Sequence, residues 1–200
     1  NAEHSAAQYV LGKLYQDGVY FNKNMDQAMK WFRSAAELGN EYAAYRMGCL
    51  LLLGEEIPKD VEAAVKWLSL SAEKGNPYAQ YRLGMLYLKG EEFSPQVEVA
   101  MKWLQQAAEQ KNEWAFYQLG KLYLSGEHVT KNVETAVHYL GLCAEKGNQY
   151  AQYVLGKLYL CGRDVSRDRE KAVEYLTASA EQGNLYASFL LEHLDAYQDP

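Results

Sequence analysis

The sequence predicts an all-α repeat protein, built from five helix-turn-helix units of 36 residues and closed by a C-terminal capping helix. Three observations predict it. Glycine recurs at a step of 36 at Gly12, Gly48, Gly84, Gly120 and Gly156, and again at Gly18, Gly54, Gly90, Gly126 and Gly162. Alanine and a large aromatic keep that step, at Ala28, Ala64, Ala100, Ala136 and Ala172 and at Trp31, Trp67, Trp103, Tyr139 and Tyr175. Asparagine does the same at Asn40, Asn76, Asn112, Asn148 and Asn184. Columns that hold register over a whole chain mark one supersecondary unit written repeatedly. The repeats fall near 4–39, 40–75, 76–111, 112–147 and 148–183, with a cap at 184–197, in a single array over residues 1–200.

Each repeat divides into two helices, A and B. In the second copy, helix A runs from about Glu41 to Leu53 and stops at Gly54, which suits a left-handed C-terminal cap. After a short loop, Asp60 is the N-cap of helix B, with Asn24, Asn132 and Asp168 as equivalents and Gln96 as the weaker version. Two residues on comes an acid in every copy: Asp26, Glu62, Glu98, Glu134 and Glu170. It complements the positive end of the helix dipole. Lys30, Lys66 and Lys102 follow four residues later, in the favourable order for helix ion pairs. Helix B ends at Gly39, Gly75, Gly147 or Gly183, and Lys111 takes that place in the third repeat. A left-handed Lys111 would cost about 1 kcal/mol. At the end of the array, Ala187 and Leu191 keep the helix A pattern, while Glu192 and Asp195 turn polar where another repeat would pack.

The phrases YAQYRLGMLYLKG (78–90) and YAQYVLGKLYLCG (150–162) carry a family pattern. Ala79, Leu83, Gly84, Tyr87 and Gly90, and likewise Ala151, Leu155, Gly156, Tyr159 and Gly162, match it in full; Met47 and Leu51 depart from it in the second repeat. The chain resembles the Sel1-like repeat, a relative of the tetratricopeptide repeat, over essentially all of its length. The resemblance implies a right-handed α-solenoid that binds proteins.

At about 100° per residue, helix A has an apolar stripe of Ala43, Met47, Leu50 and Leu51. Gly48 sits on a third face, where the lack of a side chain permits close helix approach. Tyr42, Tyr45, Cys49, Leu52 and Leu53 lie opposite the stripe. In a solenoid of this kind the A helices line the concave wall. The expected binding surface is therefore Tyr42, Tyr45, Tyr78, Tyr81, Met85, Trp114, Tyr117, Lys121, Tyr150, Tyr153 and Lys157. Tyrosine gives large contact area at low entropy cost, with a hydrogen-bonding tip. The same tyrosine columns also serve, on a second reading, as glue between neighbouring A helices. Trp31, Trp67 and Trp103 are expected in the core of helix B.

Other function classes find little support. The formal charge is −6 over 200 residues, which argues against a nucleic-acid groove. The longest purely apolar run, Leu50 to Leu53, is far short of a membrane span. His4, His128, His138 and His193 occupy unrelated repeat positions, and no metal-ligand spacing or P-loop occurs. Cys49, Cys143 and Cys161 are an odd count without paired spacing, which implies reduced thiols. Cys143 belongs to a small-residue packing column. No catalytic residue, metal or cofactor is expected. The expectation is a monomeric, cytoplasmic, non-catalytic scaffold that binds a protein or peptide in a tyrosine-rich groove. The alternative is a C-terminal array of a larger bacterial protein. The near-consensus phrases look like arrays that follow the nicking domain of some bacterial mobilisation relaxases, with the DNA-nicking activity outside this chain. A start at Asn1 rather than Met is in keeping with a fragment or processed product.

Overall fold

The structure is a computed structural model and describes residues 2–90 and 94–197. Contacts divide the chain into two compact units, Asn1–Asn112 and Glu113–Pro200. The first holds three helical hairpins: α1 (Ala2–Asp17) with α2 (Met25–Glu37), α3 (Glu41–Leu53) with α4 (Val61–Glu73), and α5 (Pro77–Lys89) with α6 (Val97–Glu109). The second holds α7 (Glu113–Ser125) with α8 (Val133–Glu145), and α9 (Gln149–Cys161) with α10 (Arg169–Glu181). It ends in α11 (Leu185–Glu192) and a 3-10 turn, Leu194–Tyr197. Odd-numbered helices are the A helices and even-numbered ones the B helices. Among the described residues there is no strand, and no helix is long and apolar enough to cross a membrane.

The caps set these boundaries. Gly54 has φ 68° and donates its N–H to the Leu50 carbonyl, ending α3 where the sequence places its end. Asp60 accepts from the Ala63 N–H at 2.9 Å, and Asn24, Asn132 and Asp168 make the equivalent bond at 3.0 Å. Gln96 makes no side-chain cap bond. Lys111 has φ 62°, the left-handed conformation expected of it, where four other repeats have glycine. The asparagine column has a role the spacing alone does not reveal. Asn40, Asn76, Asn148 and Asn184 are N-caps of the following A helices.

Each hairpin closes on a glycine. A Cβ on Gly48 would stand 2.6 Å from Leu68 Cγ, so α3 and α4 touch at the one point where no side chain intervenes. Leu68, with Phe32, Leu104, Leu140 and Leu176, is wholly enclosed. The tryptophan column precedes that column by one residue and is only half-buried, which corrects the expected core assignment. One residue is about 100° of helix, enough to turn the side chain from the centre of the core to its rim. Trp67 packs on the cluster around Phe32 and Met47, and Trp103 on the cluster around Leu68 and Leu83. Both close an edge.

Consecutive hairpins in a unit are tied by amides. Gln80 donates from Nε2 to the Ala72 carbonyl at 3.1 Å, and its Oε1 accepts from Gln110 Nε2 at 2.8 Å. Gln152 repeats the arrangement in the second unit, with the Ala144 carbonyl and Gln182. Within hairpins, the small-residue column does more than fill space. Ser71 and Ser179 donate to the carbonyls of Glu41 and Gln149 at 2.7 Å, and the Cys143 thiol to that of Glu113 at 3.5 Å.

Candidate functional site

The A helices place their tyrosines in two settings. Tyr42 and Tyr78 in the first unit are 49% and 44% exposed, and Trp114, Tyr150 and Tyr186 in the second are also exposed. Tyr45, Tyr81, Tyr117 and Tyr153 are half-buried. The difference follows from helix phase. Three residues further along a helix, a side chain is turned by about 300° and lifted about one turn, which brings it against the next hairpin. Tyr45 packs on the cluster of Leu68, Ala72, Ala79 and Leu83, and Tyr153 on the cluster around Leu176 and Ala187.

The two columns meet across the hairpin boundary inside each unit. Tyr9 lies 6.4 Å from Tyr42 and Tyr45 lies 6.1 Å from Tyr78, ring centre to ring centre. In the second unit Tyr117 lies 6.4 Å from Tyr150, and Tyr153 lies 6.1 Å from Tyr186. All four pairs are tilted, within the range where aromatic edges and faces attract. A half-buried tyrosine thus supports an exposed one on the next A helix. Burial pushes the hydroxyls of Tyr45, Tyr81 and Tyr117 up from their ordinary value, so they stay protonated donors at neutral pH.

The remaining expected surface residues are placed as follows. Lys121 and Lys157 are exposed, and Lys121 Nζ stands 5.6 Å from the centre of the Tyr117 ring. Met85 lines a half-open cleft of about 210 Å³ between α3 and α5, together with Cys49, Leu52, Leu53, Arg82, Leu86 and Lys89. Arg82 was not among the expected residues. Its signal is its spacing: it follows Tyr78 by four residues and precedes Met85 by three, which puts it on their face.

A wider cleft of about 430 Å³ lies in the second unit beside the loop between α9 and α10. Two of its carboxylates are paired. Asp164 receives Lys131 Nζ at 2.6 Å, and Asp168 receives Lys171 Nζ at 3.3 Å. Among the described residues no three His, Cys, Asp or Glu side chains gather as a metal site. The Cys143 thiol is enclosed, and burial first, then the Glu113 carboxylate, pushes it up to about 11.

Comparison with known proteins fits this architecture. Residues 5–40, 41–76, 77–112, 115–148 and 149–184 each match the Sel1 repeat. A protective antigen of uropathogenic Escherichia coli, c5321, which displays an SLR fold, is 31% identical with a TM-score of 0.91 over 96% of this chain. The chain spans 41% of that antigen. A Sel1 repeat protein from Oxalobacter formigenes is 33% identical with a TM-score of 0.82, over 92% of this chain and 75% of its own. The immunity protein Pa5087 from Pseudomonas aeruginosa shares the fold at 22% identity and a TM-score of 0.56, over 89% of this chain and 68% of its own. No curated protein matches the chain.

Proposed function

Because the chain belongs to the Sel1 repeat family, an all-α solenoid class whose members generally mediate protein interactions, we propose that it is a non-catalytic scaffold that binds a protein or peptide segment in a tyrosine-rich groove on its A-helix face. The observation that carries this is the exposed aromatics of the A helices, Tyr42 and Tyr78 in the first unit and Trp114, Tyr150 and Tyr186 in the second. Large aromatics that keep about half of their surface in water are the usual substance of interface centres. Here a half-buried neighbour fixes several of them in orientation before any partner arrives, which lowers the entropy cost of binding. The two sequence readings of the tyrosines then divide by column. The Tyr45 column glues hairpins, and the Tyr42 column binds.

Affinity capture tests it. The intact array and a Tyr42→Ala/Tyr78→Ala variant are compared against lysate of the source organism, with circular dichroism as the folding check. Loss of captured protein with unchanged helicity is the expected result. Equal capture would sink the reading. Tyr81 and Tyr153 are poorer targets, because their half-burial mixes binding with stability.

A second reading keeps this surface and changes its setting to the partner-recruiting array of a longer bacterial protein, such as a mobilisation relaxase. The near-consensus phrases at 78–90 and 150–162 favour it. The gene's full reading frame tests it: an upstream domain with clustered His and a Tyr nucleophile is the expected finding.

A further inference from the structure

Two arginines hold equivalent places in successive A helices, Arg46 in α3 and Arg82 in α5. Arg46 donates from Nη2 to Gln16 Oε1 on the preceding A helix at 2.9 Å. One repeat later the equivalent of Gln16 is Leu52, which shares the cleft of about 210 Å³ with Arg82. Where Arg46 has an amide acceptor, Arg82 has an aliphatic side chain. The groups that act electrostatically on Arg82 include the Tyr45 hydroxyl and the Cys49 thiol. Burial raises both, so both are neutral at pH 7 and neither supplies a counter-charge. A guanidinium is a planar fork whose donors suit a carboxylate.

The surroundings agree in sign. The A helices carry six basic and five acidic residues, whereas the B helices carry six basic and eleven acidic. Helix α5, PYAQYRLGMLYLK, has Arg82 and Lys89 and no acid at all. Both cations line the cleft, over a floor of Leu52, Leu53, Met85 and Leu86. The volume is below the roughly 300–1,000 Å³ of pockets that enclose small molecules, which suits side chains of a larger partner.

We propose that this cleft holds an acidic side chain of a partner's extended segment, its Asp or Glu carboxylate paired with Arg82 and a neighbouring leucine-sized group seated on Leu52, Leu53 and Met85. The proposal rests on the A-helix face being the binding surface, and it names the chemistry of the segment bound there. The cleft is half open, which favours a side chain of a passing chain over a terminal carboxylate.

The test is methyl NMR on the full chain, read at Leu52, Leu53, Met85 and Leu86. The probes are three short peptides in a Gly-Ser frame. One is acetylated and amidated and carries Asp-Leu, the second carries Asn-Leu, and the third has no acidic side chain but ends in a free leucine carboxylate. Saturable shifts with the Asp peptide are expected, with affinity lower by about tenfold for the Asn peptide and for Arg82→Gln. Arg82→Lys should recover part of the loss. Equal binding of the Asn peptide, shifts with the third peptide alone, or no shift with the Asp peptide would each overturn the proposal. If Arg82→Gln proves unfolded by circular dichroism, the Asp-versus-Asn comparison on the unaltered chain and on Arg82→Lys decides. Captured partners that depend on Tyr42 and Tyr78 but are indifferent to Arg82→Gln would remove this proposal and leave the broader reading standing.

Discussion

Gly48 and Leu68 share one space: a Cβ added to Gly48 would lie 2.6 Å from Leu68 Cγ and 2.9 Å from Cδ2, with the Ala64 carbonyl oxygen at 3.1 Å. The same relation links Gly84 to Leu104, Gly120 to Leu140 and Gly156 to Leu176. Gly48→Ala gains about 1 kcal/mol of helix propensity. It loses about 1–3 kcal/mol to overpacking against an enclosed leucine and a backbone oxygen. Net destabilisation of up to about 2 kcal/mol is expected in urea denaturation. Adding Leu68→Val should be less costly in the Gly48→Ala background than alone, because each change relieves the other.

The two tyrosine columns should separate in stability measurements. Tyr45→Ala removes a half-buried ring from the cluster around Leu68 and Leu83, and should cost about 2 kcal/mol, less than the full burial values for aromatics. Tyr42→Ala removes a ring that is 49% exposed, and should stay within about 0.5 kcal/mol of the parent. Equal losses in matched urea titrations would contradict the division of the columns into glue and binding surface.

The third repeat has a helix start that can be improved. Gln96 supplies no side-chain bond to the first turn of α6, where Asp60 and Asp168 do so for α4 and α10. Gln96→Asp should add about 1 kcal/mol, visible as a higher midpoint in thermal melts.

Cys143 makes the protein sensitive to alkali. Its thiol is pushed from 9.0 to about 11 by burial, then by Glu113. The folded state therefore holds the proton more tightly than the unfolded chain. The contribution is fully present below about pH 9 and is lost as pH rises towards about 11, on the order of 2 kcal/mol in total. Tyrosines titrate in the same window, so the measurement is a comparison. Urea stability of the parent should fall more steeply between those pH values than that of Cys143→Ala.

Much of this was legible in the sequence because the repeat supplies its own controls. Gly54 and Asp60 mark helix ends that four other copies confirm, and Lys111 could be read as left-handed because its counterparts are glycines. The tryptophans misled, since a column that is large and apolar throughout looks like a core. Only the true helix phase separates Trp67 from Leu68. Gln80 was visible but silent, because the partner that joins it to the preceding hairpin is the Ala72 backbone carbonyl, and backbone groups leave no letter. Arg82 was hardest to see. Reading by columns favours what recurs, and what sets Arg82 apart from Arg46 is a departure: leucine at 52 where the previous copy has glutamine at 16.

The amide ties described above carry a kinetic consequence. Gln80 reaches Gln110, Gln152 reaches Gln182, and Asn112 reaches the Pro77 carbonyl, so these links span only 30 to 35 residues of chain. Loops of that length close cheaply and rapidly. Folding within each unit can therefore begin at any hairpin and spread to its neighbour, at the speed typical of low contact order. A ribosome extruding this chain would release it as a series of self-sufficient steps, each ready to pack once the next hairpin clears the exit.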